Sequence, residues 1–347
     1  MTLAETPIHV AVIGAGAFGR NHARVYRQLE QAGEPVHLAA VADVDSTRAA
    51  ALAQEFGPGV AAFSGIGQLL ADCRLQAASV TVPTVEHLKV AGPLMAGGIN
   101  VLIEKPLAAT LADADRLIRL AKEHGCLAQV GHLERFNPAV QATLSLVTRP
   151  MFFEVHRLSV FSPRSLDIDV VLDLMIHDLD ILLALANSPV SEVRGVGLPI
   201  LSRQVDIANV RLEFESGCVA NLTASRVSTE KVRKLRFFQP RQYVSVDYSR
   251  QDVLVFTVAA DAAGKGNAVP GSPDSPIQVA KPAVQAQEPL EAELRAFVQA
   301  VRRRSLPRVT LEDGRRALAL ALEIQAAIRE HSRKVDLDAL GAGRSSP

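Results

Sequence analysis

Residues 8–19 read IHVAVIGAGAFG, an apolar run broken only by His9 that ends in three glycines at Gly14, Gly16 and Gly19. A strand with so little polarity needs cover on both faces, which places it in a parallel sheet with helices on either side. A helical pattern follows from about Ala17 to Gln31. The glycine spacing defines what lies between strand and helix. Gly14 permits a tight turn, Gly16 removes a side chain where a bulky anion must approach the backbone, and Gly19 lets helix and strand pack closely. The N–H groups of the first helical turn, from Ala17 and Phe18 onward, lack partners inside the helix and suit phosphate oxygens.

The second expected strand, Val36–Ala42, ends at Asp43, which stands 24 residues after Gly19. A carboxylate there accepts both hydroxyls of an adenosine ribose and repels a 2′-phosphate, so NAD is favoured over NADP. Arg48 is near enough in sequence to soften that preference. The plainer alternative is a structural glycine turn with a surface aspartate.

Strand and helix signals keep alternating to about residue 130. Strands are expected at 60–63, 77–82, 100–103 and 127–130. Helices are expected at 46–56, capped by Ser46, and at 111–124, capped by Thr110 and stopped by Gly125. Thr81 and Pro83 end the fourth strand on the cofactor edge, with His87 one turn into the next helix. Alone, His87 is equally well a packing histidine. The fifth strand runs into Glu104-Lys105-Pro106. Pro106 keeps Lys105 out of helical backbone space, so the lysine sits on a stiff turn at the edge where such sheets bind ligands. Glu104 is grouped with the cofactor-side residues. A solvated Glu-Lys pair is the bland reading.

The pattern changes after Phe136. Residues 210–224 alternate Val210, Leu212 and Phe214 with Arg211, Glu213 and Glu215, then turn at Ser216-Gly217, as a hairpin does. Strands at 151–158, 232–238, 243–248 and 253–258 extend an antiparallel sheet. Residues 260–283 read as a surface loop, and helices at 290–304 and 311–330 close the chain. The expected architecture is α/β. A Rossmann domain (1–130) precedes an α+β domain on a large, mostly antiparallel open sheet (131–336), and a tail (337–347) follows.

Residues 171–185, VLDLMIHDLDILLAL, form an apolar helix that carries Asp173, His177, Asp178 and Asp180. At about 100° per residue, His177 and Asp180 fall about 40° and 20° to either side of Asp173, while Asp178 points about 140° away. A shared polar face on a core helix needs a reason, because a buried unpaired carboxylate costs several kcal/mol. A satisfied structural network, a metal site and an acid–base site are the three candidates. No His/Cys cluster adds further ligands, so no metal is expected.

Composition removes other classes. Net charge is zero, Trp is absent and only 4% of the 347 residues are aromatic, which disfavours nucleic acid and anionic membrane as partners. No apolar run reaches membrane-spanning length without a charge, and no basic leader precedes the first strand. Cys73, Cys126 and Cys218 are far apart, as expected of unpaired thiols in the cytoplasm.

Taken in order, GAGAFG, TVPTVEH, EKP, VGHLERFNP and DLMIHDLD resemble the Gfo/Idh/MocA family of NAD(P)-dependent sugar and cyclitol oxidoreductases. The resemblance implies that Lys105, Asp173 and His177 act on substrate. It also implies that the C-terminal sheet joins copies into a homodimer or homotetramer. Many relatives carry glycines before and inside the helix motif; here Met175 takes the inner glycine position. Arg135 and Asn137, and more weakly His132 and Glu134, are expected near substrate, with Asp180 beside them. Six Arg or Lys in residues 226–241 are a solvated or interfacial sheet face, or recognise an anionic group such as a nucleotide diphosphate. The segments around residues 155–180 and 228–248 are similar to the branch linked to lipid A biosynthesis. That likeness implies oxidation of the 3-hydroxyl of UDP-N-acetylglucosamine. A free sugar or cyclitol substrate, an NAD-assisted glycosidase and a non-catalytic NAD-binding regulator are the rival readings.

Overall fold

A computed structural model describes residues 6–162, 168–259 and 275–335. Its strands are β1 (Ile8–Ile13), β2 (Val36–Ala42), β3 (Ala61–Phe63), β4 (Ala77–Val80), β5 (Asn100–Glu104), β6 (Ala128–Gly131), β7 (Phe152–Val160), β8 (Val190–Leu198), β9 (Ile207–Phe214), β10 (Val219–Ser228), β11 (Val232–Gln239), β12 (Gln242–Asp247), β13 (Asp252–Val258) and β14 (Ile277–Ala280). Its helices are α1 (Ala17–Gln31), α2 (Ser46–Phe56), α3 (Ile66–Asp72), α4 (His87–Ala96), α5 (Leu111–Glu123), α6 (Pro138–Leu144), α7 (Ile176–Ala186), α8 (Pro289–Arg303) and α9 (Leu311–Lys334). None is long and apolar enough to cross a membrane.

The first six strands form one parallel sheet in the order β3-β2-β1-β4-β5-β6. The strand order reverses between β1 and β4, and the loops leaving these two strands flank the crevice where such sheets take ligands. Thr110 caps α5 by accepting from the Asp113 N–H at 3.1 Å, as its sequence predicts. The cap of α2 differs. Asp45, one residue earlier than Ser46, accepts from the N–H groups of Thr47 and Arg48 at 3.0 and 3.2 Å, because a carboxylate outcompetes a hydroxyl for the two open donors.

The chain divides into two compact units, one of Met1–Phe136 with Gln287–Leu318 and one of Asn137–Ala286 with Ala319–Pro347. The first is therefore discontinuous, and 287–318, expected with the second domain, folds with the first. Its reason is a stripe on α8. Leu294, Phe297, Val298 and Val301 join Val25, Tyr26 and Leu29 of α1 and Leu102 of β5 in one buried cluster. The start of α9 is equally tied in: a Cβ on Gly314 would lie 2.6 Å from Val130 of β6.

In the second unit eight strands follow the order β14-β13-β12-β11-β7-β10-β9-β8. Every neighbouring pair is antiparallel except β7 and β10. The expected hairpin is β9–β10. Strand β8 has no counterpart in the sequence reading. Of the expected loop 260–283, residues 260–274 lie outside the described residues, as does the tail 337–347, while Ile277–Ala280 adds the edge strand β14. Alternation splits the basic segment 226–241 across the sheet. Leu235 and Phe237 are buried on one face, Arg236 meets Glu154 at 3.1 Å on the other, and buried Arg226 lies 3.8 Å from Asp206. The segment is thus not one patch. On the face of Arg236, the residues Phe152, Phe238, Tyr243, Phe256 and Val279 stand in register across five strands. Ring centroids there are 4.9 to 5.7 Å apart.

Candidate active site

The glycine turn is built as its spacing requires. Gly14 has φ of +104°, and a Cβ there would meet the Thr81 main chain at 2.9 Å. A Cβ on Gly19 would lie 1.7 Å from the Gly14 carbonyl oxygen. Gly16 is different: nothing lies within 4 Å of its Cβ position, and it begins α1 without any side-chain cap. The start of α1, with Ala17 and exposed Phe18, is therefore a cradle of free donors that a pyrophosphate fits.

Two predicted cofactor residues brace this turn from below. The Thr81 hydroxyl donates toward the carbonyls of Ile13 and Gly14, each at 2.9 Å. Asp43 accepts from Ala15 N–H at 2.7 Å and from Asp45 N–H at 2.8 Å. Arg48 bonds Asp45 at 2.9 Å and lies 3.8 Å from Asp43, so its charge is already shared between two acids. Pro83 leads the exposed loop into α4.

At the end of β5, Glu104 is buried and accepts from His22 at 2.9 Å and from the Lys105 N–H at 3.2 Å. Burial alone would push the Glu104 carboxyl up; the His22 hydrogen bond and charge, the Lys105 charge and its N–H together hold it below the usual range. A Cβ on Gly131 would come within 2.9 Å of this carboxylate, so a larger residue there would push Glu104 off its present position. The Lys105–Pro106 bond is cis. His22 went unnoticed in the sequence, although a histidine on the stripe shared by Gly19, Ala23, Tyr26 and Leu29 is a visible exception to an apolar face. His87, expected to touch cofactor, is 1% exposed. Its ring nitrogens face the carbonyls of Leu107 and Val82 at 3.1 and 3.0 Å. Burial lowers its pKa against the pull of those carbonyls and of Glu104. It lies beneath the loops rather than on them.

The GHLERFNP segment divides as well. Partly exposed Arg135 is 3.9 Å from Asp313, and His132 and Glu134 are buried. Asn137, expected at substrate, is 2% exposed. It caps α6 through Ala139 N–H at 3.1 Å and donates to the Tyr248 carbonyl at 3.0 Å, which makes it a structural residue.

In the second unit the motif helix opens with a π turn, Val171–Met175, before α7. Asp169 caps it by accepting from Val171 and Leu172 at 2.8 and 3.1 Å, and the Gln325 amide donates to its other oxygen. A π turn holds more residues than an α turn, so residues four apart, such as Asp173 and His177, come closer to alignment than the uniform helical reading allows. Both are partly exposed. Asp180, expected on that face, is 2% exposed, and Met175 in the inner glycine position is 1% exposed. Asp178, the outlier, is bound to Arg157 of β7. Among the described residues no group of three or more His, Cys, Asp or Glu forms a metal cage.

Comparison with known proteins gives matches to both units. The profile of the Gfo/Idh/MocA oxidoreductase family with its NAD-binding Rossmann fold matches residues 8–132, and the profile of the family's C-terminal domain matches residues 153–242. The chain is 36% identical over 322 residues to a UDP-N-acetylglucosamine 3-dehydrogenase of Acidithiobacillus ferrooxidans, spanning 92% of this chain and 97% of that protein. A solved structure of such an enzyme from the same organism superposes with a TM-score of 0.82 at 33% identity, covering 93% of this chain and 98% of the other. An inositol 2-dehydrogenase of Corynebacterium glutamicum is 29% identical over 54% of this chain and 56% of its own length.

Proposed function

Because the chain belongs to the Gfo/Idh/MocA oxidoreductase family, we propose that it moves hydride between nicotinamide and a secondary alcohol of a nucleotide sugar, the 3-hydroxyl of UDP-N-acetylglucosamine. The observation that carries the substrate is the likeness to a UDP-N-acetylglucosamine 3-dehydrogenase along nearly the whole chain. The inositol dehydrogenases among the relatives favour a free cyclitol or sugar as the second reading.

NAD is the proposed cofactor. The N–H groups at the start of α1 would hold its pyrophosphate, the open space over Gly16 would admit it, and Asp43 would face its ribose. Bound there, it supplies the hydride acceptor. The remaining chemistry falls to side chains. A sugar hydroxyl is a poor acid, so a base must take its proton. His177 is proposed to take it at the imidazole. Asp173, one turn earlier, orients that ring or binds a neighbouring hydroxyl. The Lys105 ammonium stabilises the charge developing on the substrate oxygen. Arg135 remains a proposed substrate contact.

The direct test follows NADH absorbance with UDP-N-acetylglucosamine, N-acetylglucosamine and myo-inositol in parallel. Stoichiometric NADH with the nucleotide sugar alone supports the proposal. NADH with myo-inositol alone sinks it, and product without NADH points to a glycosidase. The aromatic ladder of Phe152, Phe238, Tyr243 and Phe256 is proposed as the face that joins copies of the chain. Light scattering of Phe238→Glu, expected at lower mass than wild type, tests that.

A further inference from the structure

Lys105 stands between two residues that are each held by a buried histidine. On its N-terminal side, Glu104 is bound by His22 of α1 at 2.9 Å. On its C-terminal side, the Leu107 carbonyl is 3.1 Å from His87 of α4, whose other ring nitrogen is 3.0 Å from the Val82 carbonyl in the loop after β4. His22 is 0% and His87 1% exposed.

Neither histidine is what packing alone would select. A buried ring nitrogen costs free energy unless it is hydrogen-bonded. His22 goes further: its Nδ1 is buried with no hydrogen-bond partner. A buried carboxylate–imidazole pair is a weak source of net stability compared with apolar packing. What the pair gives in return is position. His87 sits between the loop after β4 and the turn after β5, and with Nδ1 protonated it donates to the Leu107 carbonyl, while His22 fixes the carboxylate that accepts the Lys105 N–H.

We infer that His22 and His87 are positioning residues that clamp the Glu104–Leu107 turn from both sides and so fix the main chain from which Lys105 reaches its substrate. The clamp is a property of the first unit alone. Its catalytic meaning rests on the reading of Lys105 given above.

The test combines amide hydrogen exchange with kinetics on His22→Gln, His87→Leu, His87→Gln, Lys105→Ala and the double variant His87→Leu/Lys105→Ala. His22→Gln and His87→Leu should speed exchange across residues 104–108. His87→Leu should lower kcat about 10- to 100-fold, the scale of a misplaced catalytic group, with the KM for NAD within about threefold. His87→Gln, which keeps a donor, should recover part of kcat. In the Lys105→Ala background the further loss from His87→Leu should vanish, because residues acting through one another are not additive. An equal loss in both backgrounds would overturn the inference, as would unchanged exchange across 104–108. Wild-type turnover by Lys105→Ala would overturn the catalytic reading of the lysine, and exchange measured on the same proteins separates that failure from failure of the clamp.

Discussion

Arg157 of β7 and Asp178 of α7 meet through two hydrogen bonds, Nε to Oδ2 at 2.7 Å and Nη2 to Oδ1 at 2.9 Å, with both side chains 2% exposed. The guanidinium also lies 5.5 Å from the centre of the Tyr248 ring. Breaking such a buried pair from one side leaves a charge stranded and costs about 3–5 kcal/mol, whereas replacing both partners with apolar residues is often neutral. Asp178→Ala should therefore lower the urea midpoint far more than Arg157→Met/Asp178→Leu. Equal midpoints would show that the pair does not anchor α7 to β7.

Gly16 and Gly19 should separate binding from folding. Gly19→Ala puts a methyl inside the contact radius of the Gly14 carbonyl, so both Tm and NADH affinity should fall. Gly16→Ala meets no protein atom, so Tm should hold. NADH affinity should drop at least about tenfold, or about 1.4 kcal/mol, because the methyl occupies the space above the helix start. Fluorescence titration beside a thermal scan reads both quantities.

Cofactor choice should resist a single substitution. Asp43→Ala removes the acceptor for Ala15 N–H and should weaken NAD binding without much gain for NADP, since Arg48 stays bonded to Asp45. Asp43→Ala/Asp45→Ala frees that guanidinium and should raise the NADP/NAD ratio of kcat/KM well above that of the single variant. A ratio unchanged between the two would remove Arg48 from the account.

Acid should act on the second unit through Asp206. This buried carboxylate accepts from the N–H groups of Ile200, Leu201 and Ser202 at 2.8, 2.6 and 2.8 Å and from the Ser202 hydroxyl at 2.7 Å. Burial pushes its pKa up, and these donors together bring it below the ordinary value. A carboxylate with a depressed folded pKa gives stability that is complete above its unfolded pKa of about 3.9 and is lost as pH falls toward the folded value. The urea midpoint of wild type should fall as pH drops below about 3.9. Asp206→Asn should be less stable at neutral pH and show a flatter acid slope. Parallel slopes would count against Asp206 as a source of the acid sensitivity.

Much of the fold was legible because its signals are local. The glycine turn, the Thr110 cap and the β9–β10 hairpin each arise within a few residues, and each is where the sequence puts it. The placement of α8 was not legible, because its partners Val25, Tyr26 and Leu29 lie some 270 residues away and its amphipathic stripe fits any apolar surface. The motif helix was legible in its residues and misjudged in its geometry. A uniform α-helical rotation cannot foresee the π turn at Val171–Met175 or the burial of Asp180. His87 was legible as a histidine at the right edge, but nothing local in the sequence foretells that both ring nitrogens face main-chain carbonyls.

The discontinuous first unit also sets the order in which the molecule matures during synthesis. When Phe136 leaves the ribosome, the six strands of the parallel sheet have been made, yet α8 will not exist for another 150 residues or so. Domains generally fold as units as they emerge. Here the nascent first unit must wait with Val25, Tyr26 and Leu29 uncovered on one side, while the whole eight-stranded sheet is translated. That interval is when the chain is most open to chaperones and to aggregation, and a fragment ending at Phe136 would remain in it permanently.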